Sequence, residues 1–384
     1  MTEAARDHIA FRDLDRLIIK PGFCTQCGAC EAACPVHAIK MGQKTPRRLY
    51  DCAEHLDSCP ICYEICPHTE ALQHETLKFV IDAPYWKKYL GYYHSIVLAQ
   101  STDPSFRITS KSGGVITALL NYAINEKIID SAVVSEASSY ASMSVPQNIK
   151  IVPDDLLSAV NAKFESSAPA EAFGRAVFEH GKANIAFVGI PCHVVTVRKL
   201  EAWQHKLIGS LRITIGLFCL WTYSLNRLLE YFSHEYNIAP NEILTVDLVD
   251  DKYVVTTEKR VVKIPLSNAR AQIVSRCRTC VHFTPFLADI CVGGATPLKD
   301  WSFVIIRTMA GESLFNGAVK KGVITIKAIE TEPEVLNHVL KLSEYKRDAA
   351  LQEINKLKAA GLPIPAAEAY PINYRETISD KKQE

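Results

Sequence analysis

From residue 94 onward the chain alternates between short β-branched runs and stretches whose apolar positions fall three and four apart. Strands buried on both faces and amphipathic helices produce that alternation. The pattern predicts strands over 94–100, 131–135, 148–152, 184–189, 211–218, 301–307 and 323–328, and helices over 115–125, 170–180, 193–203, 225–234 and after Gly311. Residues 243–249, 253–257 and 261–264 read as a small antiparallel set. The fold class expected is therefore α/β, a sheet domain over 90–330. Residues 21–78 have too few apolar runs for a large core and many cysteines instead. A charged lead-in, 1–20, precedes them. After 330 come a polar helix to about residue 360 and a Pro-rich tail, 362–374, together the C-terminal region 331–384; the Pro-rich tail is expected to pack on a neighbour or hang free.

Composition narrows the reading mostly by exclusion. Hydrophobic residues at 48%, charged residues at 22% and a net charge of +1 are those of an ordinary globular protein. No basic run interleaved with aromatics suggests nucleic acid. The N-terminal stretch is too charged for a signal peptide, and the most apolar segment, 208–220, falls short of the ~20 residues of a membrane helix. A cytoplasmic protein is expected, reaching a membrane only through a partner. There is no GxGxxG, GxxxxGK[ST] or HExxH.

The cysteines change the picture. Of thirteen, Cys24, Cys27, Cys30 and Cys34 follow C-x2-C-x2-C-x3-C-P spacing, and Cys59, Cys62 and Cys66-Pro67 repeat its second half, with Cys52 upstream. Three cysteines on one tight loop supply three corners of a [4Fe–4S] cluster, and the fourth cysteine of each run ligates the other cluster. One cluster is then Cys24, Cys27, Cys30 and Cys66; the other is Cys34, Cys52, Cys59 and Cys62. The gap after Cys52 is wider than usual. Zinc is the alternative for Cys-x2-Cys pairs, but the triple spacing followed by Cys-Pro favours iron. In a reducing compartment the cysteines serve as ligands rather than disulfides. Residues 21–78 thus read as a two-cluster ferredoxin module that moves electrons.

Five further cysteines follow residue 190. Cys192 and Cys219 each come directly after a predicted strand, at the sheet edge where α/β proteins place their chemistry. Cys277-x2-Cys280 can close a third cluster over that edge. The competing reading is that Cys192 and Cys219 are buried core thiols. Cys291, inside an apolar run, reads as packing. Ser112-Gly113-Gly114 opens a predicted helix, whose N–H groups suit a pyrophosphate. Lys111, Lys163, Arg198, Arg276 and Arg278 can neutralise anions or remain solvated.

With Gly189-Ile190-Pro191-Cys192, Gly216-Leu217-Phe218-Cys219, Cys277–Cys280, Ala288-Asp289 and Gly293 in this order, the chain resembles the family of coenzyme F420 hydrogenase/dehydrogenase beta subunits over about 20–330. Its fused ferredoxin module gives it a layout similar to the electron-input subunit of archaeal F420 dehydrogenase. The resemblance implies an FAD-binding α/β domain, F420 as hydride donor or acceptor, and a third [4Fe–4S] cluster on Cys192, Cys219, Cys277 and Cys280. For such cofactors the candidate contacts are Ser112, Gly113, Gly114, Lys163, Pro191, His193 and Arg276, and no catalytic acid or base is expected. His193 stands beside Cys192, where it bonds a cofactor or caps its helix, and Asp289 is a candidate to orient the Cys277/Cys280 loop. F420 exchanges hydride whereas clusters pass single electrons, so a flavin is needed between them. The expected partner is an iron–sulfur subunit of a larger complex or a ferredoxin, docking near Lys40, Lys44, Arg47, Arg48 and Tyr50. Two alternatives remain: a ferredoxin-dependent reductase of another substrate, such as a chlorophyll-type macrocycle or an amino-acid synthase partner, and an electron relay without flavin.

Overall fold

The structure, a computed structural model, describes residues 10–42, 45–52, 59–110, 112–140, 143–152, 168–249 and 252–366. Lys44, Lys111 and Lys163 lie outside the described residues.

An eight-stranded mixed sheet organises the molecule. Its strands are β1 (Ser95–Ser101), β2 (Ser131–Tyr140), β3 (Met143–Val152), β4 (Ile185–Gly189), β5 (Leu211–Leu217), β6 (Ile290–Gly294), β7 (Ser302–Ile306) and β8 (Ile324–Ala328). They lie in the order β8-β1-β7-β6-β5-β4-β2-β3. The centre, β6-β5-β4-β2, is parallel, and β7, β8 and β3 pair antiparallel with their neighbours. β6 is absent from the sequence-based prediction, which read the segment around Cys291 as packing alone. It is short, and its two terminal glycines read as a loop.

Burial alternates residue by residue along the central strands. β4 sends Ile185 and Phe187 to one face and Ala186 and Val188 to the other; β7 splits Phe303 and Ile305 from Val304 and Ile306 in the same way. One face is covered by α1 (Val115–Asn125) and by Met309–Lys320. The opposite face packs on α2 (Pro169–Phe178), α3 (Pro191–Ala202), α4 (Leu225–Tyr236) and the antiparallel set of Ile243–Val249, Lys252–Thr257 and Val261–Pro265.

The C-terminal helix, Pro333–Ala359, packs on the chain itself, with Val335, Val339, Leu342, Ala349, Ala350 and Ile354 buried. One expectation is corrected. The lead-in is part of the cysteine module, because Phe11, Leu14 and Ile18 are buried against Phe23, Ala38 and Cys62.

The module is also fitted to the sheet domain rather than standing off it. Gly28 holds φ +81° and a Cβ there would come 2.7 Å from Glu171 Cβ, so the Cys27–Gly28 turn lies directly on α2. The Ala170 N–H donates to the Cys27 carbonyl at 2.9 Å. Lys199 of α3 donates to the carbonyls of Cys66 (2.6 Å) and Thr69 (2.8 Å), and Trp203 to Glu64. At the far end of the chain Ala366 exchanges hydrogen bonds with His68 and Gln73.

Candidate iron–sulfur site

All thirteen cysteines are free thiols. Cys24, Cys27, Cys30, Cys62 and Cys66 line one pocket, walled on the other side by apolar Leu14 and Ile18. Burial first, and then the charges of Cys27, Cys24, Cys62 and Cys66, push the Cys30 thiol well above its ordinary value. Cys24 is raised to about 11 and Cys66 to about 12, burial being the main cause for each. Cys62 is raised too, by burial and then by Cys59, Cys52, Cys34 and Cys66. Cys62 thus stands between the pocket of Cys24, Cys27, Cys30 and Cys66 and the group of Cys34, Cys52 and Cys59. Cys34 and Cys59 both act on Cys52.

The second group forms at the carboxyl edge of the sheet. Pro191 opens α3 immediately after β4 and puts Cys192 in its first turn. Cys219 follows β5, its N–H bonded to the Phe283 carbonyl at 2.9 Å. Cys277 lies in the helical turn Ser275–Arg278, held to the sheet edge by the Tyr223–Ile273 bridge and by a 3.0 Å contact of its Sγ with Thr222 Oγ1. Gly216 makes the approach possible, since a Cβ there would stand 2.2 Å from Pro285 and block the descending loop. Cys192 is raised far above the usual thiol value by burial and then by Cys280, Cys219, Cys277 and Cys27. Cys219 rises to about 12, burial outweighing the opposing charges of Lys346 and Arg276. The core thiols therefore converge, and Cys27 of the first module adjoins them; Thr196 Oγ1 lies 3.7 Å from Cys27 Sγ and donates to the Cys192 carbonyl at 3.0 Å.

Four thiols that oppose one another's ionisation in a buried site call for a cationic guest, and thiolate sets of this kind suit iron–sulfur clusters. Among the described residues no group of three or more His, Cys, Asp or Glu side chains is arranged around a single metal ion. Cys291 stands apart: it is fully buried in β6, its Sγ donating to the Pro285 carbonyl and accepting from Arg307, 3.0 Å each.

The other candidates divide. Arg276 reaches both groups, its charge opposing the rise of Cys24 and of Cys219. His193 is not a helix cap; it is buried, its Nε2 has no hydrogen-bond partner among the described residues, and burial with the Arg276 charge lowers its pKa to about 3. Gly113 and Gly114 do open α1, but Gly113 is wedged where a Cβ would come 2.5 Å from the Ala99 carbonyl and 2.7 Å from Ser302. Packing accounts for it. Ser112 is bonded through its main chain to Ser110 Oγ. Arg198 is not available to an anion: it is buried and occupied by Asp289 (2.8 Å), Glu201 (2.6 Å), Thr214 and the Leu287 carbonyl. Asp289 accordingly does not orient the Cys277/Cys280 loop but ties β5, through Thr214, to Thr308 at the start of helix Met309–Lys320. Arg278 is turned back on its own loop, donating to the carbonyls of Ile273 and Ala271.

Sequence reasoning missed Lys199 and Lys346. Lys346 on the C-terminal helix donates to the Cys219 and His282 carbonyls, 2.6 Å each. The available signal was its position, in register with the apolar stripe of Val335, Val339 and Leu342. Among the described residues no helix is long and apolar enough to cross a membrane.

Comparison with known proteins matches these parts. Residues 17–40 match a 4Fe–4S binding domain. Residues 96–171 and 182–332 match the N-terminal and C-terminal parts of the coenzyme F420 hydrogenase/dehydrogenase beta subunit. The chain is 28% identical to the beta subunit of coenzyme F420 hydrogenase of Methanothermobacter thermautotrophicus, over 72% of this chain and 99% of that protein. It is 26% identical to a subunit of the F(420)H(2) dehydrogenase of Methanosarcina mazei, over 86% and 91%. A chain of the F420-reducing [NiFe] hydrogenase complex of Methanosarcina barkeri superimposes with a TM-score of 0.67 at 26% identity, over 75% of this chain and 100% of that one. The chain belongs to the family of coenzyme F420 hydrogenase/dehydrogenase beta subunits, as an oxidoreductase component that carries an iron–sulfur segment ahead of the family core.

Proposed function

We propose that the protein oxidises reduced coenzyme F420, reversibly, at an FAD in the sheet domain and delivers the electrons singly through three [4Fe–4S] clusters to a partner. The observation that carries this reading is the continuity of the thiol groups. Cys192, in the core group, adjoins Cys27, and Cys30 of that cluster adjoins Cys62 of the next. The order is core group, then Cys24/Cys27/Cys30/Cys66, then Cys34/Cys52/Cys59/Cys62. A path with one end inside the sheet domain and the other in the outer module is what a converter of hydride into single electrons requires.

When bound, a flavin accepts hydride and releases electrons one at a time. The residues at hand act around it: His193, neutral, offers beside Cys192 an Nε2 that has no partner among the described residues, and Arg276 offers a cation facing the same edge. Pro191 fixes the turn that directs Cys192 toward that edge. None of these groups needs to transfer a proton. The partner, an iron–sulfur subunit or a ferredoxin, meets the Cys52 end of the path.

Anaerobic purification tests the reading. About twelve iron atoms and one FAD per chain are expected, from three clusters and one flavin. Oxidised F420 should lose its absorbance when the protein is supplied with a low-potential reductant. About eight iron atoms, no flavin and no change in F420 would leave an electron relay instead.

A further inference from the structure

We propose that Lys346 is the cation that poises the core cluster, so that the C-terminal helix is a working part of the electron path. This rests on the third-cluster reading above. Lys346 is 1% exposed, on a helix whose other inward positions are apolar apart from Ser343. An ammonium is not taken out of water without compensation. Its Nζ donates to two main-chain carbonyls, those of Cys219 and of His282, which follows Cys280 by two residues. Carbonyls orient the group but do not neutralise it. Those carbonyls belong to the two segments that carry Cys219 and Cys280, so the ammonium is fixed beside the core thiols. The charge that can balance this lysine is therefore that of the core cysteines once they hold a cluster.

An iron–sulfur cluster becomes more negative on accepting an electron. A fixed positive charge beside it stabilises the reduced form and raises the midpoint potential, as net charge and hydrogen bonding around a cluster generally do. The other cations beside the thiol groups lack this selectivity. Arg276 acts on Cys24 as well as on Cys219, and Lys199 is directed at the Cys66 and Thr69 carbonyls of the neighbouring cluster. Lys346 thus distinguishes the core cluster from the two behind it, favouring electron arrival at the first stop after the flavin.

The test is an EPR-monitored redox titration of the anaerobic holoprotein, comparing wild type with Lys346→Gln and Lys346→Arg. Glutamine can still donate to a carbonyl but carries no charge. The core signal should move to lower potential in Lys346→Gln, its reduced-to-oxidised ratio at a fixed potential falling at least about tenfold, while the other two signals stay in place. Lys346→Arg should keep the wild-type midpoint. An unmoved core midpoint in a fully loaded Lys346→Gln protein overturns the proposal. If Lys346→Gln loses the core cluster, Lys346→Arg decides: a retained cluster at the wild-type midpoint supports the charge, and loss there as well reduces the residue to packing and overturns it. Failure of the underlying reading is separate and visible first, as wild-type protein with about eight iron atoms and two cluster signals, which removes this proposal with it.

Discussion

In the N-terminal module Cys24, Cys27 and Cys30 are gathered by one loop and the short helix Ala29–Ala32, whereas Cys192, Cys219, Cys277 and Cys280 arrive from two strand ends and a loop beyond a separate antiparallel sheet. The first group depends on local spacing. The second exists only when β4, β5 and the 277–288 loop are already in register. The surroundings differ accordingly. The module thiols line a pocket with apolar Leu14 and Ile18, while the core thiols receive a buried lysine from the end of the chain. Spacing makes a ligand set, and tertiary structure decides what charge it feels.

The strongest way to break this comparison is to delete one ligand from each end of the path. Cys277→Ala should abolish electron flow from F420 and remove about four iron atoms, whereas Cys62→Ala should abolish delivery to the partner and leave flavin reduction by F420 intact. If Cys62→Ala also loses flavin reduction, the two regions fold as one unit and the contrast between them fails.

A smaller effect should follow from loosening the sheet alone. Asp289 and Arg198 are both nearly inaccessible, 8% and 6% exposed, and removal of one member of such a buried pair costs about 3–5 kcal/mol. In thermal melts of Asp289→Ala the core cluster signal should disappear before the module signals, which a locally built module predicts. Acid gives the sign. Burial raises the Asp289 pKa, but Arg198 and the hydroxyls of Thr308 and Thr214 outweigh it and hold the carboxyl below its ordinary value. The stabilisation is thus fully present above about pH 4 and is lost as pH falls through the depressed folded value. A difference in stability between wild type and variant that instead shrinks between pH 7 and 5 would contradict this assignment.

The smallest effect concerns the outlet. Arg47 and Arg48 are exposed beside the exposed Leu49 and Tyr50, on the chain leading to Cys52, although Arg48 already pairs with Asp51 at 3.2 Å. Reversing both arginines to glutamate should slow electron transfer to an acidic partner a few-fold at low salt and hardly at high salt, without changing F420 oxidation by an artificial dye. Equal rates at both ionic strengths would move the docking face elsewhere.

How much was legible follows the same division. The ferredoxin-type spacing and the strand-end positions of Cys192 and Cys219 could be read directly, and helix Val115–Asn125 has the bounds its periodicity predicts. What escaped was non-local. Arg198 on a helix reads as a solvated cation, and only the fold shows Asp289, 91 residues away, as its partner. β6 is too short and glycine-terminated to register, yet it lies between β5 and β7 at the centre of the sheet. The adjacency of Cys27 and Cys192 has no signature in either motif.

The contact between Gln73 and Ala366 joins residues 293 positions apart, which sets an order of manufacture. At about 5–20 residues per second, the N-terminal thiols leave the ribosome on the order of 15–60 s before the segment that closes over them. Early in that interval they stand on a nascent chain before α2 and Lys199 have been made, and the final helix comes against them only near its end. On the proposed reading, loading with iron has an open window at the outer thiols and almost none at the core ones, which are complete with Lys346 only once nearly all of the 384 residues have been made.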